Sequence, residues 1–261
     1  MATEETYAQT AQNKVRRYGP RGVYDHDRVH NIVNAASLVH VAFNPPPLDG
    51  EDQFPVILPM LGAIGTFVSA SPSSEAEPHV YLHGSSAARL MRMGADAPTG
   101  LAICIEATLL DGYVLALTPF SHSCNYRSAV VFGNARLLTD AEERLWAMEL
   151  ITNNTIPDRW ANSRVPPTKS ELTATAILKV RIVSASAKQR AGGPHDDRKD
   201  LKDGEMRKKV WTGVVPVHEA LGEPIASPDN LVEKVPSYVT GWVEQANEMT
   251  KSHAVERAND P

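Results

Sequence analysis

Short apolar runs, bounded by proline, glycine and polar clusters, dominate much of the chain. Runs of this length are typical of buried strands, and turn residues between them are typical of an antiparallel arrangement. On this basis strands are predicted at 38–43, 56–60, 79–83, 100–109, 113–117 and 126–138. Pro55 and Pro59 indicate that the second of these strands lies at an edge or a bulge, because proline has no N–H to donate to a ladder.

Helical spacing of apolar residues predicts four helices. Asp25 is the predicted N-cap of the first, with Val29, Ile32 and Val33 on one face. Thr139 and Glu142 have the spacing of a capping box. The other three helices are predicted at about 87–93, 139–153 and 237–252.

One alternating strand and one turn decide the predicted fold class. Residues 173–183 alternate with period two, and Asp111-Gly112 between apolar runs predicts a tight hairpin turn. Strands therefore follow each other through short connections, without the regular strand–helix alternation of a doubly wound fold. The prediction is a mainly β protein: an antiparallel sheet closed into a barrel, with flanking helices and a C-terminal helix.

The composition is that of a globular protein. Of 261 residues, 42% are hydrophobic and 22% are charged, which excludes disorder over the whole chain. We predict an N-terminal arm over 1–22, one principal domain over 23–217 and a helical extension over 218–261. A polar Ser/Pro loop is expected at 69–78, and a solvated charged insertion at 188–209.

Charge and cysteine content exclude several functional classes. A net charge of -5 argues against a nucleic-acid-binding protein, which is usually basic. Two cysteines cannot form a disulfide framework or a four-cysteine zinc site. The sequence has neither an apolar run long enough to span a membrane nor an apolar N-terminal signal. We therefore expect a cytoplasmic protein.

The common nucleotide and hydrolase motifs are missing. The sequence contains no G-x-G-x-x-G and no G-x-x-x-x-G-K-[ST], which argues against a Rossmann or P-loop site. Gly84-Ser85-Ser86 approaches a nucleophile elbow but is followed by alanine instead of the second glycine. His26 and His30 are four residues apart on the first predicted helix, yet no third metal ligand is evident. Two solvated histidines are the simpler interpretation, so no metal site is predicted.

The segment from His83 to Arg89 has the strongest chemical signal. A strand runs into a Gly/Ser turn that opens a helix, and free N–H groups at a helix start favour an anion. Ser85 and Ser86 add hydroxyl donors, and Arg89 adds a guanidinium suited to phosphate. An ordinary helix cap is the alternative interpretation.

A second group of polar donors, Asn125-Tyr126-Arg127-Ser128, opens a later apolar strand. A ligand with both an anionic end and a ring edge would use both segments. The alternative is that Arg127 pairs with a carboxylate at the rim of the barrel.

These segments carry a family resemblance. Residues 81–92 resemble the strand–turn–helix of the pyridoxamine 5′-phosphate oxidase-like flavoproteins, and in particular the subgroup that contains nitroimidazole-resistance and flavin-nucleotide-binding proteins. Residues 122–133 resemble the second motif of that subgroup, with Cys124 where methionine is common. Residues 185–197 and 211–216 resemble its C-terminal segment, so the resemblance covers roughly 14–217.

The resemblance implies an FMN-binding split β-barrel that forms a homodimer, with two flavins at the interface. The strand bordering the isoalloxazine ring would be Val56, Ile57, Leu58, Pro59 and Met60. The phosphate end would lie at His83, Gly84, Ser85, Ser86 and Arg89. Further flavin contacts would come from Tyr126, Arg127 and Ser128, and from Lys188 and Trp211 in a region of variable length.

The implied function is an FMN-dependent oxidoreductase acting on a small molecule. The flavin carries the hydride chemistry in such proteins, so no nucleophile or acid–base pair is required of the chain. A flavin- or heme-binding protein without turnover is the alternative, with His83 as a candidate axial ligand.

Overall fold

The computed structural model describes residues 5–46, 54–69 and 76–260. Parts of the predicted arm and of the predicted 69–78 loop therefore lie outside the described residues. The strands are β1 (Gly22–Val23), β2 (Val39–Phe43), β3 (Val56–Met60), β4 (Gly62–Gly65), β5 (His79–Ser85), β6 (Leu101–Leu115), β7 (Ser123–Leu137), β8 (Thr175–Arg190) and β9 (Gly213–Pro216). The helices are α1 (His26–Ala35), α2 (Arg89–Asp96), α3 (Ala141–Thr155), α4 (Lys169–Ala174), α5 (Gly204–Lys209) and α6 (Ser237–Ala258).

The chain divides into two compact units. The first consists of Met1–Thr108 and Ser128–Ala187, and the second of Leu109–Arg127 and Lys188–Pro261. The long strands β6, β7 and β8 contribute residues to both. The predicted boundaries at residues 22 and 217 are not tested by this division and stay a prediction.

The sheet has the strand order β3-β2-β6-β7-β8-β5-β4. The registered pairs of β2 with β3 and β6, and of β5 with β4 and β8, are all antiparallel. Helix α1 begins where predicted, because Asp25 Oδ1 accepts a hydrogen bond of 2.8 Å from the Arg28 N–H. Its buried residues, Val29, Ile32 and Val33, join the main apolar core. The predicted mainly antiparallel sheet with flanking helices and a C-terminal helix is confirmed.

The side chains of β8 pack in two different apolar clusters. Ala176, Leu178 and Val180 point into the main core, as their alternation predicts, whereas Ile177 packs in a smaller cluster beside α3. Gly94 of α2 lies directly against Leu178. A Cβ at residue 94 would be 2.5 Å from Leu178 Cδ2, so the close approach of helix and strand requires glycine here.

Strand β4, at one end of the strand order, is held by a side chain as well as by β5. The Ile64 N–H donates to Asn34 Oδ1 at 2.7 Å, and Asn34 Nδ2 donates to the Ile64 carbonyl at 3.1 Å. Asn34 thus makes the two hydrogen bonds that a neighbouring strand residue would make. The sequence pattern did not predict this strand.

The predicted hairpin turn at Asp111-Gly112 is wrong, because β6 continues through both residues to Leu115. Asp111 is buried and forms an ion pair with Arg127. Gly112 is required by the close approach of β9, since a Cβ there would lie 3.0 Å from the Val215 carbonyl oxygen. The Asp-Gly dipeptide is typical of turns, but here it lies in a strand. The buried ion pair explains the aspartate, and the close approach of β9 explains the glycine.

The predicted capping box at Thr139 and Glu142 is also wrong by one residue. Asp140 is the N-cap of α3, and its carboxylate accepts a hydrogen bond of 2.8 Å from the Glu143 N–H. A capping box occurs instead at Thr168 and Glu171, where it opens α4. Residues 173 and 174, predicted as the start of the strand at 173–183, are instead the last two residues of α4.

The second unit is built around β9, α6 and a buried polar network. Strand β9 pairs antiparallel with residues 112–115 of β6, and α6 packs against β9. Fully buried Asn125 donates to the carbonyl oxygens of Gly192 and Arg257 at 3.2 and 3.3 Å. The Arg190 guanidinium donates to Asn125 Oδ1 and to the carbonyl oxygens of Gly192 and Gly193. These bonds tie the end of β8 to the C-terminal end of α6.

Candidate functional site

The turn between β5 and α2 is the predicted phosphate end. Its backbone is fixed by two hydrogen bonds of 2.9 Å, from the Ser86 N–H to the Ala174 carbonyl and from the Ala88 N–H to the Ser85 carbonyl. The N-cap of α2 is Ala88, which gives the first turn of that helix no side-chain acceptor. Ser85, Ser86 and Arg89 are exposed. The turn therefore presents hydroxyl, guanidinium and helix N–H donors together, which suits an anion.

Gly84 sets how closely the turn packs. A Cβ there would lie 2.4 Å from Met91 Cε, so a larger residue would have to move the Met91 side chain of α2. Among the described residues, the Arg89 guanidinium makes one long hydrogen bond of 3.4 Å, to the Pro46 carbonyl oxygen. Within those residues no carboxylate competes with a ligand for its charge.

Strand β3 is the predicted border of the flavin ring. Strand β3 lies at the end of the strand order opposite to β4. It pairs with β2, and the pairing runs from Val39 opposite Met60 to Phe43 opposite Val56. Val56, Leu58 and Met60 are half-buried and pack on the main core, whereas Ile57 and Pro59 are exposed. The predicted edge position is confirmed, and it leaves one backbone side of β3 without a registered strand partner among the described residues.

A cavity of about 310 Å³ has His83, the residue before the β5 turn, in its lining. Most of its apolar wall comes from α3 and the segment that follows it. The lining residues are Leu61, His83, Met148, Ile151, Thr152, Thr155, Trp160, Arg164, Pro167, Glu171 and Thr175. Only His83 belongs to the predicted site. Trp160, Arg164 and Pro167 lie in the proline-rich stretch 157–167, which has no periodic pattern that could have identified them.

Two features set the charge around this cavity. Partial desolvation lowers the pKa of His83, so its imidazole is neutral at neutral pH and keeps a nitrogen lone pair. The Arg164 guanidinium, also in the lining, hydrogen-bonds Glu171 and, together with Thr168, lowers the pKa of that carboxyl to about 2. The lining of the cavity can therefore offer both a nitrogen ligand and an ion pair.

The second predicted group is divided between the two units. Tyr126, Arg127, Lys188 and Trp211 belong to the second unit and Ser128 to the first. Tyr126, Ser128 and Lys188 are half-buried, and Trp211 is largely exposed. Their roles as flavin contacts stay a prediction.

Arg127 has a carboxylate partner inside the second unit. Its Nε and Nη2 atoms donate to the two oxygens of Asp111 at 2.9 and 2.7 Å. His253 is close enough for Arg127 and Asp111 to influence its pKa, which is lowered mainly by desolvation. The sequence analysis missed both Asp111 and His253, although an aspartate inside an apolar run is itself a signal of a buried ion pair.

His26 and His30, considered above as metal ligands, form an aromatic cluster with Tyr7. The Tyr7 hydroxyl lies 2.7 Å from His30 Nε2, and the rings of Tyr7 and His26 are 4.0 Å apart. Within residues 5–46, 54–69 and 76–260 there is no group of three His, Cys, Asp or Glu side chains that could hold a metal ion. No helix in the same ranges is long and apolar enough to cross a membrane.

The histidines predict how stability depends on pH. Desolvation is the largest cause that lowers the pKa of His30, His79, His83 and His253. Because the pKa of each of these histidines is lower in the folded protein than in the unfolded chain, the unfolded chain binds protons first as the pH falls. The free energy of unfolding is therefore highest above about pH 6.5 and decreases below that pH.

We therefore expect the urea midpoint to fall between about pH 7 and pH 5.5. His30→Gln, which keeps a polar side chain but cannot titrate, is the matched variant and is expected to reduce that fall. A midpoint that stays constant over this range would contradict the prediction.

Comparison with known proteins adds the family. A family model described as pyridoxamine 5′-phosphate oxidase matches residues 25–189. None of the curated proteins matches the chain.

Two solved structures share the fold over most of their length. The flavocytochrome Anf3 from Azotobacter vinelandii is 29% identical, with a TM-score of 0.70 over 89% of this chain and 97% of that chain. The FAD and heme binding protein from Mycobacterium smegmatis is 28% identical, with a TM-score of 0.67 over 85% of this chain and 97% of that chain. The predicted split-barrel fold class is confirmed by these likenesses.

Proposed function

The chain belongs to the pyridoxamine 5′-phosphate oxidase family, and we propose that it is a cytoplasmic, homodimeric, flavin-dependent oxidoreductase. In this proposal FMN is the flavin and a small molecule is the substrate. The observation that carries the proposal is the family match over residues 25–189, which includes the exposed donors of the β5–α2 turn. When bound, the flavin supplies hydride or electron transfer.

The chain's own residues would bind and orient the cofactor. Ser85, Ser86 and Arg89 would hold the phosphate at the uncapped start of α2. The edge strand β3 would offer backbone donors and acceptors to the ring, because Pro59 and its neighbours have no registered strand on that side among the described residues. These features fit a flavin phosphate, and none of them requires an acid–base pair.

The absorption spectrum of the purified protein tests the proposal. We expect the two visible flavin bands, which should bleach on anaerobic reduction and return when a suitable acceptor is added. Flavin released by denaturation and separated by chromatography then distinguishes FMN from FAD, the flavin named for the Mycobacterium smegmatis relative. A protein without flavin bands after incubation with FMN and with FAD would overturn the proposal.

A flavin- and heme-binding electron-transfer protein is the second candidate. The likenesses to a flavocytochrome and to an FAD and heme binding protein favour it, together with His83, an exposed and neutral histidine that lines the cavity. A Soret band beside the flavin bands would support this candidate. His83→Ala is then expected to remove the Soret band and keep the flavin bands, whereas His79→Ala serves as the matched control.

Replacing Arg89 with alanine tests the phosphate end directly. The side chain would make a charge-assisted contact worth roughly 1.5–3 kcal/mol, so FMN affinity should fall about ten- to hundredfold. Riboflavin, which lacks the phosphate, should bind almost unchanged. Fluorescence titration of the apoprotein with both ligands measures this difference.

Arg92, on the same helix, provides the matched control. Arg92→Ala removes a cation one turn further along α2 and is expected to leave the ratio of the two affinities unchanged. Equal losses of FMN and riboflavin in Arg89→Ala would mean that Arg89 supports the fold instead of the phosphate.

A further inference from the structure

Residues 222–235, here called the acidic segment, form an irregular stretch of the second unit with one turn and no helix or strand. Its preceding residues are fastened to α6, because Leu221 and Asn247 exchange two hydrogen bonds of 2.7 and 2.9 Å. The segment returns to α6 at Pro236, the N-cap residue of that helix. Within the segment the hydrogen bonds are local, such as that of 2.7 Å from Asn230 Nδ2 to the Val232 carbonyl.

The large apolar side chains of the acidic segment are exposed to solvent. Ile225 is 95% exposed and Leu231 is 94% exposed, and Val232 and Val235 are exposed as well. Isolated exposed apolar residues are common, but several large ones in a short stretch mark an interaction surface. Within the described residues, no other part of the chain covers them.

The charges of this segment point to the partner. Glu223, Asp229 and Glu233 are exposed, with Lys234 as the one cation between 222 and 235. A partner for such a surface needs apolar contacts and positive charge together.

The N-terminal arm of this same sequence has that character. Lys14, Arg16, Arg17 and Arg21 are the charged residues between 9 and 21, and none is paired with a carboxylate in the described part of the chain. Arg17 and Arg21 stack on the ring of Tyr18 at 5.3 and 4.4 Å, which holds their side chains in place.

The arm also offers a surface of suitable shape. A concavity of about 790 Å³ is lined by Thr10, Lys14, Val15, Arg16 and Gly19, with two further residues of the same stretch. Its walls combine aliphatic surface with two cations. An extended peptide with apolar and acidic side chains matches both properties.

We propose that the acidic segment of one molecule docks on the basic N-terminal arm of a second copy of this chain. The proposal rests on the homodimer of the proposed function and adds to it a contact between these two surfaces. In a two-fold dimer the contact occurs twice, because each chain carries both the segment and the arm. Both ends of the segment are held at α6, so its 14 residues can project from that helix by at most roughly 25 Å, half of their extended length.

Charge exchange in the full-length protein tests the proposal. One variant carries Arg16→Glu and Arg17→Glu, a second carries Glu223→Arg and Glu233→Arg, and a third carries all four changes. Sedimentation at low ionic strength should show dimer dissociation constants raised at least about tenfold in the first two, since each attraction becomes a repulsion. The third should recover most of the wild-type affinity.

Apolar variants provide the second measurement. Ile225→Ser combined with Leu231→Ser should weaken the dimer, whereas Met249→Ser, at an exposed position on α6, should not. Unchanged dimerisation in both charge reversals, or four changes that fail to restore it, would overturn the inference. A wild-type dimer with bound flavin in that case leaves the proposed function standing, whereas a wild-type monomer at micromolar concentration overturns both the inference and the proposed homodimer.

Discussion

Replacing Asp111 with alanine is expected to lower the free energy of unfolding by about 3–5 kcal/mol, because the change leaves a guanidinium in a poorly solvated site without its counter-ion. The Asp111 side chain is 4% exposed and that of Arg127 is 23% exposed. Two parallel hydrogen bonds join them, and no second salt bridge involves either side chain in the described part of the chain. His253, whose pKa is lowered by desolvation and then by Arg127, cannot replace the carboxylate.

Urea unfolding of three variants measures the effect. Asp111→Asn keeps the shape and loses the charge, and it should be nearly as destabilised as Asp111→Ala. The double variant Asp111→Leu with Arg127→Met replaces both charges by apolar groups and should recover much of the loss. If Asp111→Ala loses less than about 1 kcal/mol, the pair is solvated and contributes little, as surface ion pairs do.

Leu178→Ala is expected to cost about 2–5 kcal/mol of unfolding free energy, since it removes a fully buried side chain and leaves a cavity in the main core. The neighbouring glycine makes this prediction more specific. Gly94→Ala alone should destabilise the protein by about 1–3 kcal/mol, because its new methyl group would lie 2.5 Å from Leu178 Cδ2.

The two substitutions should compensate each other when combined. In the Leu178→Ala background the methyl group of Gly94→Ala enters the space that the leucine has left, and it also improves the helix propensity of α2. Gly94→Ala is therefore expected to stabilise that background although it destabilises the wild type. A double-mutant cycle from thermal or urea unfolding gives the coupling energy, and simple additivity would contradict the packing described here.

The sequence predicted most elements of this fold because their signals are local. The Asp25 cap and the apolar spacing of Val29, Ile32 and Val33 suffice to define α1, and alternation suffices to define the core face of β8. The error at Asp111-Gly112 occurs because distant partners override a local preference. Asp111-Gly112 is typical of a turn, and only the positions of Arg127 and β9 explain why it lies inside a strand.

The candidate site also has one part with a local sequence signal and one part without it. The turn from His83 to Arg89 is continuous in sequence, so its donors could be predicted together. The cavity beside it joins Leu61, Met148, Trp160 and Glu171, which are separated by up to about a hundred residues and have no common spacing. No pattern in one sequence could bring them together before the fold was known.

Asn34 has a consequence beyond the stability of β4. The outermost strand of a sheet presents unpaired amide groups that can recruit a strand from another molecule, which is a common start of aggregation. At Ile64 both groups are already taken by one side chain on α1, and that side chain's residue is itself tied to α3 through Asn154. The Asn34 side chain thus protects this edge from pairing with another chain, independently of any ligand that the protein binds.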